Sequence, residues 1–451
     1  MDMQKRWIIL FVALLSISFL GLFYSGHEGV FTDIDSNLNF ADIAWMITAT
    51  IFVLMMTPGL SFFYGGMVRS KNVISTILQS FIAMGVISVI WVVVGFSLAF
   101  GEDVGHFIGN PGTFFMFVNV GGATDKLLAP TIPLALYALF QMKFAIITPS
   151  LITGSFAERV RFSGYLVFMI LFCIFVYCPL AHWTWHPDGF LRQMGVLDFA
   201  GGIVVHASSG VAALAGAIFL GRRKESGQPA NIPFVLLGAA MLWLGWFGFN
   251  AGSSLAANSI AVKAFLNTNT ASATAMMTWV VFDCLRGRKP SAMGAAIGAV
   301  VGLVAITPSA GYVTVGESIF IALVVTVICN MAVSWKNKKN SFDDALDVFP
   351  THGVGGIVGT IMTGIFVYNA TENITYWQNL LNHIIAVVIV CGYTFIVTYA
   401  LYWITDKMIP MRVSEKSEKI GLDMSQHDER YGIETNRELA EYFDHGVDTK
   451  S

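Results

Sequence analysis

Asp198-Phe-Ala-Gly-Gly-Ile-Val-Val-His206-Ala-Ser-Ser-Gly210 and Asp344-Ala-Leu-Asp-Val-Phe-Pro-Thr-His352-Gly-Val-Gly-Gly356 share one pattern, Asp-x7-His-x3-Gly, set in apolar surroundings. An ionisable side chain inside a membrane span is expensive, so two histidines at matched positions mark a polar pathway through a membrane protein. A single buried histidine reads most simply as a core residue satisfied by a nearby carbonyl. The matched pair reverses that preference. In an ideal helix the step from Asp198 to His206 rises about 12 Å, which carries the imidazole from an outer interface to near the bilayer centre. An inverted second copy brings His352 to similar depth from the other side. Two neutral imidazoles in contact share one proton and offer a small polar guest both a donor and an acceptor.

Working outward, the 451 residues are 55% hydrophobic and only 12% charged, with a mean hydropathy of +0.66. A soluble fold of this length cannot hide so much apolar surface, so the chain is an all-α integral membrane protein. Apolar runs of membrane-crossing length fall near 43–66, 72–100, 131–157, 163–181, 200–221, 232–253, 258–285, 291–307, 316–335, 350–369 and 378–406. That makes eleven core spans. Basic residues occupy every second loop: Arg69/Lys71, Arg159/Arg161, Arg222 to Lys224, Arg286 to Lys289, Lys336 to Lys339 and Lys407/Arg412. Under the positive-inside rule these loops are cytoplasmic, which starts the core outside and leaves the tail inside, in a cell (plasma or inner) membrane.

Three regions follow. Residues 1–26 read as a secretory signal peptide or an uncleaved hydrophobic segment, since Lys5 and Arg6 precede the apolar run and Ser25, Gly26 and His27 follow it. Residues 40–410 form the membrane domain, and 411–451 a mixed-charge cytoplasmic tail. Asn369 and Asn373 begin N-x-T sequons in an outside loop, relevant only in a host that glycosylates. The five cysteines lie in apolar runs without metal spacing and read as small core hydrophobes; no disulfide, metal or cofactor is expected. A net charge of −3 supplies no basic face for nucleic acid, and lipid is the expected surrounding.

The repeat extends beyond the histidines. Gly59-Leu-Ser-Phe-Phe63-Tyr-Gly-Gly66 resembles Gly245-Trp-Phe-Gly-Phe249-Asn-Ala-Gly252, and these segments end core spans one and six. Five being odd, the second copy crosses the membrane in the opposite sense. The expected architecture is therefore a five-plus-five inverted repeat with one additional helix, an arrangement that places a site at the midplane.

Several motifs in order, Phe140-Gln-Met-Lys-Phe144-Ala-Ile-Ile-Thr-Pro, Ala157-Glu-Arg159, Leu180-Ala-His-Trp-Thr-Trp185, Leu197-Asp-Phe-Ala-Gly-Gly202, Val205-His206, Gly245 to Ser253 and His352-Gly-Val-Gly-Gly356, are similar to those of the Amt/Mep/Rh ammonium transporter family. The resemblance is to the Amt branch and covers roughly 40–425. It implies an eleven-span fold, a homotrimer with one pore per subunit, uptake of ammonium and methylammonium, and a trimeric PII-type regulatory partner on the cytoplasmic face. It makes Phe144, Trp185 and Ser253 the outer recruitment site with Phe140 beside it. Phe144 and Phe249 become a stacked phenyl gate, His206 and His352 the pore pair, and Asp198 the carboxylate supporting the outer vestibule.

These residue types suit that task. Stripping water from an ammonium ion costs tens of kcal/mol in the Born limit, so the ion must be recognised charged and moved largely neutral. An aromatic face attracts a cation by up to about 2 kcal/mol, and deprotonating an amine two to three units above neutral costs roughly 3–4 kcal/mol. Potassium keeps its charge and is stopped. Taken singly, the phenylalanines read as packing, Trp185 as an interfacial belt residue, Ser253 as a helix-end cap and Asp198 as an N-cap; only their joint order carries function. An ammonium sensor using the same pore site is the alternative, favoured by a long signalling extension. A membrane enzyme or haem protein ligated by His206 and His352 is a third class, and would show a visible absorption band.

Three departures stand out. Lys143 falls between Phe140 and Phe144, where a charge beside the vestibule would repel a cation. His186-Pro-Asp188 replaces the glycine-rich stretch usual after the tryptophan, and Asp428 stands in the tail motif Gly421-Leu-Asp423-x-Ser-x-His427-Asp-Glu429 where glycine is usual.

Overall fold

The structure, a computed structural model, describes residues 3–24, 35–339, 342–367 and 374–432. Asn369 and Asn373, the cleavage residues Ser25 to His27, and the tail beyond 432 lie outside them. The described chain is mostly helical: α1 (Met3–Tyr24), α2 (Phe40–Met67), α3 (Ser70–Phe100), α4 (Leu134–Ile152), α5 (162–185), α6 (Gly202–Leu220), α7 (Ile232–Gly252), α8 (Ser259–Leu285), α9 (Ala292–Ile306), α10 (Val315–Lys339), α11 (349–366), α12 (Tyr376–Met408), and in the tail α13 (Glu415–Ile420) and α14 (Leu422–His427). One two-stranded hairpin among the described residues, β1 (Asp103–Val104) and β2 (Ile108–Gly109), follows the Phe100 end of α3.

Among the described residues eight helices are long and apolar enough to cross a membrane, which makes the chain a multi-pass membrane protein. The remaining expected spans are helical too, but α9 has only 15 residues, and α8, although 27 residues long, is not among those eight. Polar caps fix several helix starts. Asn39, Asn231, Asn258 and Ser291 each accept a backbone N–H of the first turn, and Thr375 forms a capping box with Gln378.

The core is a packed bundle rather than a sheet-based fold. Helices α2 and α7, which end in the two similar glycine-rich segments, make the most extensive pairing in the molecule. Helix α4 packs against α2, α3 and α6, while α8 packs against α7, α9 and α10. The two short helices α6 and α11 cross at the centre. Helices α2, α7 and α12 are less than half buried, and α8 exposes Val262, Met277 and Leu285, so the outer faces of these four remain apolar surface for lipid or another chain.

Candidate functional site

The two Asp-x7-His segments adopt one local structure. Both oxygens of Asp198 turn toward the start of α6, accepting Gly201 and Ile203 N–H at 2.9 Å, Val204 N–H at 3.3 Å, and Gly202 N–H. Asp344 accepts the Phe349 N–H at 2.7 Å, the same five-residue step as Asp198 to Ile203. Each carboxylate thus sits at a helix start, where orphan amides and the macrodipole favour negative charge. Each helix begins with a wide π turn, Gly202–Ala207 and Phe349–Gly353, that ends at or next to its histidine. Such one-turn bulges re-aim a side chain without ending a helix.

The histidines meet at the crossing. His206 Nδ1 and His352 Nδ1 lie 3.3 Å apart with ring centroids at 5.4 Å, and both rings are buried. One Nδ1 donates and the other accepts, so the contact holds a single proton. His206 Nε2 has no hydrogen-bond partner among the described residues. Trp246 stacks on His206 at 5.2 Å and 20°, and its own Nε1 donates to Thr307 Oγ1 at 2.9 Å, which fixes the plane that supports the imidazole. Around the pair lie Met56, Leu60, Ile147, Leu151, Leu242 and Val300, an apolar lane offering a bare cation nothing to replace its water.

Above this lane the aromatic residues come together. Phe144 and Phe249 stack at 4.2 Å and 24°, Phe140 meets Phe144 at 5.0 Å, and Trp185 stands edge-on to Phe144 at 5.7 Å. Trp185 Nε1 donates to the Asp198 carbonyl at 2.9 Å, so the indole is fixed beside the start of α6. Ser253, the C-cap of α7, donates its hydroxyl to Phe249 O at 2.8 Å and keeps its own lone pairs. The column therefore runs Trp185, Phe144/Phe249, His206, His352, with His206 and Phe249 centroids 6.0 Å apart.

Lys143 is half-buried on α4 in line with Leu139 and Leu136, one and two turns away, while Phe140 and Phe144 are buried. Near the last turn of α5, buried His182 bridges Ala99 O at 3.0 Å and Asp103 Oδ1 at 2.8 Å, and Trp183 donates to Phe107 O at 2.7 Å. These bonds pin the hairpin to α5 and set the shape of the mouth. Nothing in the spacing singled out His182 or Trp246, although both stand inside the quoted motifs.

At the end of the bundle opposite the hairpin, Glu158, in the Ala157-Glu-Arg159 motif, pairs with Arg69 at 3.1 Å and Arg223 at 3.2 Å, and Arg223 also grips Asp343 at 2.8 Å. Burial alone would raise the Asp343 carboxyl, but the Arg223 hydrogen bonds and the Arg159 and Arg223 charges outweigh it and hold it down at about 2. The tail closes over this network. Asp423 accepts Ile74 N–H at 3.0 Å and Ser75 N–H at 2.8 Å, and Asn72 Oδ1 accepts Leu422 N–H at 2.8 Å. Asp428 takes φ +55 at the end of α14, a left-handed position where glycine is free of strain and Asp is among the better-tolerated alternatives.

A helical membrane bundle whose buried polar groups line a narrow apolar lane belongs to the class of transporters and channels rather than enzymes. Comparison with known proteins narrows the class: the model of the Ammonium Transporter Family matches residues 44–431. The chain is 45% identical over 402 residues to a putative ammonium transporter of Methanothermobacter thermautotrophicus, covering 87% of this chain and 98% of that one. It is 41% identical over 404 residues to the ammonium transporter of Bacillus subtilis, covering 87% and 98%. Among solved structures it resembles Mep2 of Candida albicans at a TM-score of 0.79 and 36% identity, covering 85% and 89%, and a protein titled Sensor Amt Protein at 0.80 and 29%, covering 86% and 98%. The chain belongs to the ammonium transporter family.

Proposed function

We propose that the chain carries ammonium into the cytoplasm, recognising it as the ion at Trp185, Phe144 and Ser253, with Phe140 packed beside them. The ion gives up its proton at the mouth, and the neutral amine then passes between Phe144 and Phe249 to His206 and His352. The observation that carries this reading is the single column of side chains from indole to imidazole pair, bounded by apolar walls. An ion at the mouth gains cation–π attraction from aromatic faces and a hydrogen bond to Ser253; beyond the rings only the neutral amine avoids the Born penalty. Below the rings the open Nε2 of His206 and the shared proton of the pair give that amine one acceptor or donor at each step. Asp198 holds the start of α6, and through it Trp185 and His206, in register. Helices α2 to α12 supply the eleven spans, arranged as a five-plus-five inverted repeat with α12 added. The assembly is a homotrimer in the cell membrane, with the core beginning outside, the tail inside and its cytoplasmic face meeting a PII-type protein.

The test measures flux and current together. Labelled methylammonium should enter proteoliposomes holding the purified protein, and an ammonium jump over it in a solid-supported membrane should give a current that potassium does not elicit if the released proton crosses as well; neither flux nor current, with intact folded protein, would overturn transport. Similarity to a Sensor Amt Protein favours a second reading, a sensor that binds ammonium in the same pore. Binding without any flux would select it.

A further inference from the structure

His182 is fully buried, and both of its ring nitrogens face oxygens. Nδ1 lies 3.0 Å from Ala99 O at the end of α3, and Nε2 lies 2.8 Å from Asp103 Oδ1 on β1. A carbonyl oxygen can only accept, so Nδ1 carries a proton. A neutral imidazole would then turn the Nε2 lone pair toward the carboxyl, acceptor against acceptor. Two arrangements remove that clash, a proton on Asp103 or a second proton on the ring. The carboxyl is the poorer holder, because its other oxygen already accepts the His106 N–H at 3.1 Å. Burial raises the Asp103 carboxyl, but the His182 bond, the His106 N–H and the charges of both histidines outweigh it and hold it below the usual carboxylate range. The second proton therefore sits on His182.

The opposite face of the ring is covered by His186, which stacks on it at 4.4 Å and 16°. His186 Nδ1 accepts the Asp188 N–H at 3.1 Å, so that ring is neutral and turns its π face to the charged one. His106 Nδ1 in turn donates to Asp188 O at 2.6 Å. His186 and Asp188 belong to the stretch that stands where a glycine-rich one is usual, and both serve the contact between the hairpin and α5. Phe190 N–H adds a bond to His106 O at 3.2 Å, and Trp183 one to Phe107 O. Strands of two residues are marginal by themselves, so the hairpin keeps its place through these ties. Among them only His182 to Asp103 couples opposite charges, the kind of buried pair most damaged by losing one partner. His182 stands in the last turn of α5, three residues before Trp185, and its carbonyl accepts the His186 N–H at 3.1 Å that closes the helix.

We propose that His182 is an imidazolium held by Asp103, a positioning residue that keeps the last turn of α5, and with it Trp185, in place to receive the ion. This rests on the recruitment reading above and adds to it a residue that touches neither the ion nor the pore pair.

Two measurements on the full chain in lipid bilayers test it. With nitrogen-15 histidine, solid-state NMR of the wild type at pH 7 should show protons on both His182 ring nitrogens, the ring being identified by through-space correlations to Ala99 and Trp183; a single protonated nitrogen overturns the proposal. Asp103→Asn keeps the shape and can donate to Nε2, so the ring there should carry one proton. In that variant half-saturation for labelled methylammonium should rise about two- to tenfold, the span of one net hydrogen bond, with the maximal rate unchanged. Unchanged half-saturation, or a loss confined to the maximal rate, overturns the positioning role. Trp185→Leu measured alongside separates the two readings. A rise there with none in Asp103→Asn leaves the recruitment site standing without the clasp, whereas no rise in either removes the recruitment site itself.

Discussion

Gly210 of α6 lies against the backbone of Gly353 in α11, so closely that a methyl group on Gly210 would stand 2.1 Å from the Gly353 nitrogen. The contact is reciprocal, since a methyl on Gly356 would meet Gly202 O at 2.5 Å and the Ala207 nitrogen at 2.6 Å. Each glycine of the repeated motif therefore packs on the turn that bears the other copy's histidine. Neither obstacle is a side chain that could swing away. Gly210→Ala or Gly356→Ala should destabilise by about 3 kcal/mol or more, the upper range of overpacking, and separate the imidazoles. Gly392→Ala on α12, where a methyl meets nothing within 4 Å, should be neutral or stabilising by up to about 1 kcal/mol. Thermal unfolding in detergent compares the three; equal midpoints would mean that the crossing is looser than described.

Removal of either imidazole is a separate question. His206→Ala or His352→Ala opens the contact without touching the gate or the loops, so folding and assembly should persist. Methylammonium uptake should fall at least tenfold, or potassium should begin to pass, because the lane loses the groups that fit a neutral amine. Unaltered uptake and ammonium-over-potassium selectivity in both variants would assign the histidines a packing role.

The matched Asp-x7-His copies predict that the two histidines meet, and the structure brings their Nδ1 atoms to 3.3 Å, but an ideal helix does not contain the π turn that follows each aspartate. No periodicity signals such a turn, because it adds one residue without changing the apolar run. The phenyl rings were legible because motif order tied them together. For Lys143, adjacency in sequence to Phe144 says little about the face it occupies. Trp246 was quoted as part of a motif, yet its stacking on His206 depends on α7 and α6 meeting, a tertiary fact.

Recruitment at the mouth can be dissected by substitution. Trp185→Leu removes the aromatic face and should raise half-saturation for methylammonium by up to roughly thirtyfold, about 2 kcal/mol, with Trp185→Phe losing less. Ser253→Ala removes an acceptor whose own proton is already committed to Phe249 O, and should cost about 1.5–3 kcal/mol if the ion is desolvated there. Lys143→Thr, on the flank of α4, should leave half-saturation unchanged. Uptake of labelled methylammonium across concentration decides among them; no shift in either Trp185→Leu or Ser253→Ala would move the recruitment site elsewhere.

The docked tail should answer to pH through two groups of opposite sign. Burial raises the Asp423 carboxyl to about 6, against the backbone N–H bonds that lower it, so the docked tail binds a proton more readily than a free one. That contribution is fully present below the free value near 4 and fades as pH climbs through about 6. A protonated carboxyl still accepts an N–H from Ile74 or Ser75, so the clasp survives proton uptake. His427 works the other way. Burial lowers its imidazole despite the nearby Glu429, so acid favours the released tail, and its Nε2 contact to Ser75 Oγ at 3.1 Å and its packing on Phe162 are what release would break. In a His427→Gln variant the Asp423 effect stands alone: hydrogen-exchange protection of 415–427 should increase as pH falls from 7 to 5. Adding Asp423→Asn should flatten that dependence. A protection profile of His427→Gln that declines toward pH 5 would show that Asp423 is ionised and tightly held in the docked tail, and that its burial is relieved by solvent.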